Sequence, residues 1–143
     1  MSDFYKYFKE NMESLGLPAP ATLFGTVQAA VTNASVILSQ IDKFGKAITV
    51  GELIGAGTKL EGLGVIAACS AAFYVGAVIG SIAVATGRLL GKGTTMADVL
   101  FTANRYNLNR PWLISSLVQW PGIYDSKVQV IVRNMYRHHA VIV

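Results

Sequence analysis

The sequence predicts an all-α fold: a small helical bundle with one or two apolar helices of membrane length, packed through small residues as a helical hairpin, plus short amphipathic N- and C-terminal helices. Three observations predict it. Charged residues make up only 14% of the chain, against about 25% in an average soluble domain, although the 52% hydrophobic share is ordinary. Two long segments carry no charge at all, and ten of the fourteen glycines fall between residues 50 and 93.

The longer uncharged segment comprises 26 residues between Glu61 and Arg88. As an α-helix it would measure about 39 Å, more than the roughly 30 Å hydrocarbon core of a bilayer. The second segment follows Pro20 and runs for 21 residues, about 32 Å as a helix, but it is rich in hydroxyl and amide side chains. The first passes as a transmembrane segment, whereas the second would not insert alone.

We expect a single domain over residues 1–143. The N-terminal part, 1–17, is predicted to be an amphipathic helix with a C-terminal cap at Gly16, because apolar residues recur at helical spacing. These residues are Phe4, Phe8, Met12 and Leu15.

The next predicted helix, 21–42, is amphipathic without any charge. Its apolar face carries Val27, Val31, Ala34, Leu38 and Ile41. Its polar face carries Gln28, Thr32, Ser35 and Ser39, which are the candidate lining of a water-filled path across a membrane.

The third part, 48–93, is predicted to be a glycine-rich apolar hairpin. Thr49 and Glu52 form a capping-box pair, which begins a helix near residue 50. A continuous helix to residue 92 is conceivable, but the glycines favour a kink or turn near 57–64, because each interior glycine costs up to about 1 kcal/mol relative to alanine.

Small residues recur at helical spacing through this hairpin and predict a seam where two helices approach closely, within one chain or between copies. They are Ala68, Ala72, Gly76, Gly80, Ala83, Gly87 and Gly91, with Gly51, Gly55 and Gly62 on a comparable earlier face. The opposite face carries side chains bulky enough to meet lipid acyl chains: Phe73, Val78, Ile82 and Leu89. The alternative is a buried core helix of a soluble bundle.

The last part, 95–143, has the composition of a soluble helical region. Thr95 and Asp98 cap one helix, a second follows Pro111, and a third opens near Ser126, where an alternation of valines also permits a strand. Residues 88–143 hold seven Lys/Arg against two acidic residues, a net charge of +5.

Aromatic residues are interleaved with these cations, a composition typical of a membrane interface. The candidate interface residues are Arg88, Lys92, Trp112 and Trp120. An ordinary solvated helical surface explains the composition equally well. The cations are spread over about 50 residues without a recognised motif, so a nucleic-acid partner is not predicted.

Residues that could support catalysis are scattered. Around Gly91-Lys92 the glycine and hydroxyl positions of a phosphate-binding loop are occupied by Thr86 and Gly93. His138 and His139 are adjacent, so their side chains diverge, and Cys69 lies in an apolar run where it acts as a small hydrophobic residue. We therefore predict no enzyme, no cofactor and no metal site. No secretory signal is expected either, because charges fill the first 13 residues.

Three segments together resemble a known family. They are Pro18-Ala-Pro-Ala-Thr-Leu-Phe-Gly25-Thr, Gly51-Glu-Leu-Ile-Gly55-Ala-Gly57 and Tyr74-Val-Gly76-Ala-Val-Ile-Gly80-Ser. With the short N-terminal helix, they resemble the small glycine-zipper, pore-forming antibacterial effectors of the type VI secretion system. The resemblance covers roughly residues 15–92 and does not extend to the C-terminal third.

The resemblance implies a toxin made in the cytoplasm without a signal peptide and delivered by a contractile machine. It implies a secretion-tube ring protein as carrier and chaperone, and a cognate immunity membrane protein in the producer. The target would be the inner membrane of a rival cell, where a homo-oligomer forms pores and dissipates the membrane potential. The zipper positions fall on Gly76 and Gly80, and more loosely on Gly51, Gly55, Gly87 and Gly91.

Two alternatives belong to other classes. One is a resident small membrane protein, holin-like or a scaffold subunit, inserted from the cytoplasm. The other is a soluble helical interaction domain whose core helix has a membrane-like composition.

Overall fold

The computed structural model describes residues 3–60 and 62–140; the parts of the predictions that fall on residues 1–2, 61 and 141–143 lie outside the described residues. The regular secondary structure of the described residues is helical, without a β-strand, so the all-α prediction is confirmed. The helices are α1 (Asp3–Ser14), α2 (Ala21–Phe24), α3 (Val27–Phe44), α4 (Val50–Gly55), α5 (Ala71–Leu89), α6 (Met96–Arg105), α7 (Leu113–Gln119) and α8 (Val130–His139). Short 3-10 turns lie at Gly64–Ile66 and Pro121–Ile123.

Helix α5 is the centre of the fold. It packs against α1, α3, α4, α6 and α7 and against the Pro121–Ile123 turn. Every residue from 71 to 83 is buried. The amphipathic helices around it turn their apolar faces inward, so one core forms around a single apolar helix.

Helix α1 follows its prediction: the four apolar residues of its predicted face are all buried. Gly16 has φ +72°, a conformation that glycine adopts at little cost. Its amide donates to the Glu13 carbonyl at 2.9 Å and the Leu17 amide donates to the Met12 carbonyl at 3.0 Å. This hydrogen-bond pair is the Schellman motif, which ends the helix.

The loop after α1 is held against the core by two tyrosines. Tyr5 Oη donates to the Ala19 carbonyl at 2.7 Å, and Tyr74 Oη donates to the Pro18 carbonyl at 2.8 Å. Tyr74 lies on α5, so this loop connects the N-terminal helix to the centre of the fold.

The predicted helix over 21–42 is instead two helices, α2 and α3. The helix is interrupted at Gly25 and Thr26, and α3 then extends to Phe44. Thr26 has extended backbone angles, and its Oγ1 accepts a hydrogen bond from the Ala29 amide at 3.1 Å. Because a threonine at this position satisfies an otherwise free amide, it begins a new helix rather than continuing the old one.

The segment 48–93 contains one long helix, not a hairpin of two. The predicted capping box of Thr49 and Glu52 is present, but α4 ends after six residues at Gly55. A turn follows, and Ser70 caps α5, accepting a hydrogen bond from the Phe73 amide at 3.2 Å. The predicted turn near 57–64 is therefore confirmed, and α5 is the one helix of membrane length among the described residues of this segment.

The C-terminal third wraps around one side of α5. The predicted capping box of Thr95 and Asp98 begins α6. The region near residue 130 is a helix, α8, and not the strand that the valine alternation also allowed. Asn11 joins this third to the rest: its Nδ2 donates to Ser81 Oγ and to the Ile123 carbonyl, both at 2.9 Å.

Candidate functional site

Helix α5 is long and apolar enough to cross a bilayer. It has 19 residues and a mean hydropathy of 1.5, and it is the one such helix among the described residues. In this fold 78% of its apolar 18-residue stretch is buried inside the chain. The face expected to meet acyl chains is also covered: Phe73, Val78 and Ile82 are buried, and only Leu89, at the end of the helix, is half exposed. Length and composition therefore make α5 a candidate span, while the fold uses it as a core helix.

The small residues of α5 form a close seam with the C-terminal third. Gly80 lies against Ile123, where a Cβ atom would overlap the isoleucine side chain. One turn earlier, a Cβ atom on Gly76 would meet only Leu113 Cδ1, at 4.0 Å. Ala72, a turn earlier again, is buried. The structure thus brings three of the predicted zipper residues into one seam, formed within the chain.

The other predicted zipper residues lie elsewhere. Gly51 on α4 approaches Ala67, whereas Gly55 has open space around it. Gly87 packs against the 92–94 loop at the end of α5. Gly91 has φ +72° and follows the helix, where it forms the same C-terminal motif as Gly16. The sequence stripe is therefore split among two helices and a helix end.

The candidate pore-lining residues lie together on the outer face of α3. All four are exposed to solvent. Gln28 Nε2 donates to Thr32 Oγ1 at 3.3 Å, and Ser39 Oγ donates to the Ser35 carbonyl at 3.0 Å. This face satisfies its polar groups locally and presents no charge.

The candidate interface residues fall into two separate places. Arg88 forms an ion pair with Glu10 and stacks over the Tyr7 ring at 4.0 Å, while Lys92 pairs with Asp98 at 3.7 Å. The cations at this end of α5 are therefore neutralised by acids of the same chain.

The two tryptophans are half-buried, on either side of α7. Trp120 packs edge-on against Phe73 with ring centroids 5.5 Å apart, and it lies 5.0 Å from the Tyr136 ring. Trp120 therefore connects the buried helix to α8 rather than standing free at the surface.

Two carboxylates have a pKa that their partners lower. Arg110 hydrogen-bonds Asp42 through Nε at 2.9 Å and Nη2 at 2.8 Å, and these bonds lower the Asp42 pKa. The amide and hydroxyl of Thr95 lower the pKa of Asp98, with a smaller contribution from Lys92. Both carboxylates are occupied in structural roles. Across residues 3–60 and 62–140, no three His, Cys, Asp or Glu side chains are grouped so that they could hold a metal ion.

Sequence reasoning missed the orientation of α8. Apolar residues recur along one side of this helix, yet Ile131, Val132 and Met135 face solvent instead of the core. Arg133 and Arg137, one turn apart on the other side of the helix, are buried and half-buried, respectively.

Comparison with known proteins gives no relative. No protein-family model, curated protein or solved structure matches the chain.

Proposed function

We propose that this chain is an antibacterial toxin, delivered by type VI secretion, that inserts into the inner membrane of a target cell, forms ion-conducting pores and dissipates the membrane potential. The observation that carries the proposal is α5: one charge-poor helix of membrane length, enclosed by shorter amphipathic helices. A protein that travels through water and works in lipid needs both a membrane-length helix and a cover for it.

In the proposed mechanism the cover opens at the membrane. α5 leaves the core, and its bulky residues Phe73, Val78 and Ile82 exchange protein neighbours for acyl chains. The same movement separates Gly76 and Gly80 from Leu113 and Ile123. The freed glycines are then available to a second copy, because small residues let helix backbones approach closely in lipid.

The conducting path is proposed to use the uncharged polar face of α3. Gln28, Thr32, Ser35 and Ser39 already share one surface of an 18-residue helix. Hydroxyl and amide groups on that surface can hydrate small ions without fixing a charge. No catalytic residue takes part.

The proposed partners correspond to two states of the chain, the closed form in transit and the inserted form in the membrane. A secretion-tube ring protein would carry the chain and keep its cover closed in transit, and a membrane immunity protein would protect the producer. The site of action is the inner membrane of the target bacterium, and the chain itself is made in the cytoplasm.

One observation favours a second candidate, a soluble helical interaction domain. Most of the apolar stretch of α5 is already buried in the chain's own core, as a core helix of a soluble bundle would be. In that case α5 never leaves the fold, and the protein acts through its surface.

Conductance across a planar lipid bilayer tests the proposal. We expect stepwise currents from purified protein, and a flat trace at micromolar concentration would favour the soluble domain.

Gly76→Val tests the glycine seam, because Gly76 has more room in the folded state than Gly80. Gly55→Val is the matched control, since no atom lies near the Cβ position there. We expect Gly76→Val to abolish the currents and Gly55→Val to retain them.

Expression in two compartments separates the proposal from a holin-like protein. A delivered toxin should be tolerated in the producer's cytoplasm and should arrest growth only after export to the periplasm. A resident holin would kill from the cytoplasm.

A further inference from the structure

Helix α8 has its apolar side toward solvent and Arg133 toward the rest of the fold. Its outward surface is apolar, with Ile131 72% exposed and Met135 47% exposed, flanked by half-exposed Val130 and Val132. Its inward surface carries Arg133, which is only 8% exposed. An amphipathic helix at the surface of a soluble domain has the opposite arrangement.

The inward arginines lack acidic partners. Arg133 Nη1 donates to Ser14 Oγ at 2.9 Å, and its side chain passes over Gly122. The Nε atoms of Arg133 and Arg137 are buried without an acceptor among the described residues. No carboxylate in residues 3–60 and 62–140 forms an ion pair with either guanidinium, so their positive charge is not compensated within that part of the chain.

The apolar surface continues beyond the helix. Trp120 meets Tyr136 and other α8 residues in an open groove of about 290 Å³. The groove is lined by Trp120, Ile131, Val132, Met135, Tyr136 and His139. We call these six residues the α8 face.

The segment that forms most of the α8 face carries charge of one sign, and the acidic residue directly before it, Asp125, accepts a hydrogen bond from the Lys127 amide at 2.9 Å. From residue 126 onward the sequence contains Lys127, Arg133 and Arg137 with two histidines, and no acidic residue. Lys127, His138 and His139 are exposed. A second apolar patch, at Leu90 and Phe101, differs in this respect, because it has charges of both signs beside it: Lys92, which is paired with Asp98, and Arg105.

We propose that the α8 face is the surface through which the folded chain first docks on an anionic lipid bilayer. Apolar side chains on one short helix, a tryptophan beside them and unneutralised cations around them match the components of an interfacial membrane anchor. The inference rests on the proposed function, because docking supplies the first step of insertion. It adds that docking leaves α5 in place.

Vesicle flotation tests the docking surface. Purified protein is mixed with phosphatidylcholine vesicles that contain or lack phosphatidylglycerol. We expect binding to the anionic vesicles only, and weaker binding at high salt. The double variant Ile131→Ser/Met135→Ser should bind at least about tenfold more weakly. The matched control Leu90→Ser/Phe101→Ser replaces side chains that are at least as exposed, on another surface, and should bind as the unchanged protein does.

Two charge-reversal variants test the electrostatic part of the docking. Lys127→Glu should weaken binding to anionic vesicles, whereas Lys59→Glu, an exposed lysine in the loop after α4, should not. All six substitutions replace exposed side chains, and circular dichroism checks that the fold is retained. If the α8 double variant binds as tightly as the unchanged protein, or if the unchanged protein does not bind anionic vesicles, the inference is wrong.

Two further measurements distinguish lipid docking from dimerisation and from the proposed pore function. If light scattering finds a dimer that the α8 double variant dissociates, the face binds a second copy and the lipid assignment is overturned. If the unchanged protein binds vesicles through α8 but produces no bilayer current, the docking inference stands and the proposed pore function fails. Currents that persist unchanged in the α8 double variant would leave the pore function intact and contradict the docking step.

Discussion

Gly80 and Ile123 pack so closely that a methyl group on the glycine would overlap the isoleucine side chain. The contact joins the centre of α5 to the Pro121–Ile123 turn, and Asn11 reinforces it by donating to the Ile123 carbonyl. Gly80 is thus a requirement of the folded state before any role in a membrane is considered.

Gly80→Ala should therefore destabilise the folded protein, by about 1–3 kcal/mol, because an extra methyl in a filled core forces its neighbours to move. Gly76→Ala should be neutral or stabilising by up to about 1 kcal/mol, since its Cβ position is free and alanine is the better helix former. Urea unfolding of both variants measures the difference. Equal stabilities would contradict the seam that the structure describes.

Tyr74→Phe should lower the free energy of unfolding by about 1–3 kcal/mol, because the Pro18 carbonyl loses its donor in a buried place. Tyr124→Phe is the control, because the loop after α1 is held by Tyr5 and Tyr74 and because Tyr124 is only half-buried. Thermal or urea unfolding measures both. A loss equal in the two variants would show that the Pro18 hydrogen bond contributes nothing specific.

The Asp42–Arg110 ion pair should make stability depend on pH. Because Arg110 lowers the pKa of Asp42 below its usual 3.8, the pair stabilises the fold above that value, and the stabilisation is lost as pH falls through the folded-state pKa. Both side chains are partly exposed, so Asp42→Asn should cost only about 0.5–1 kcal/mol at pH 7. The difference between the two proteins should disappear in acid.

Glu13→Gln serves as the control for that experiment, since Glu13 is exposed and forms no ion pair within the described residues. Its unfolding curve should follow that of the unchanged protein at both pH values. A pH-independent cost of Asp42→Asn would assign the effect to lost packing rather than to the charge.

Cys69 offers a probe of opening, because it is the one cysteine of the chain and is only 3% exposed. In buffer we expect slow labelling by a maleimide, and much faster labelling when anionic vesicles are added and α5 leaves the core. Cys69→Ala should give no label under either condition. Labelling that vesicles do not accelerate would indicate that α5 stays buried, as the soluble-domain alternative requires.

Local signals in the sequence predicted much of the fold. Thr49 with Glu52, Thr95 with Asp98, and Gly16 each define a helix end by hydrogen bonds within a few residues, and all three are present. The break at Thr26 was missed, although its cap is equally local, because the apolar periodicity on either side of it runs through without interruption.

Orientation was harder to predict than periodicity. The pattern in α8 identifies an apolar side but cannot say that Arg133 will pack against Gly122 while Ile131 faces solvent, since that depends on residues distant in sequence. The same holds for Phe73 and Ile82, whose neighbours come from other helices. A membrane-length apolar helix has the same composition whether lipid or protein surrounds it.

The enclosure of α5 has a consequence for how activity and stability would be related. A helix surrounded by its own chain is released only when that surround separates, so its amides should exchange hydrogen as slowly as global unfolding permits. Insertion would then be limited by the same barrier. Substitutions that loosen the surround and leave α5 unchanged should accelerate pore formation while lowering the melting temperature, so the least stable variants would be the fastest to act.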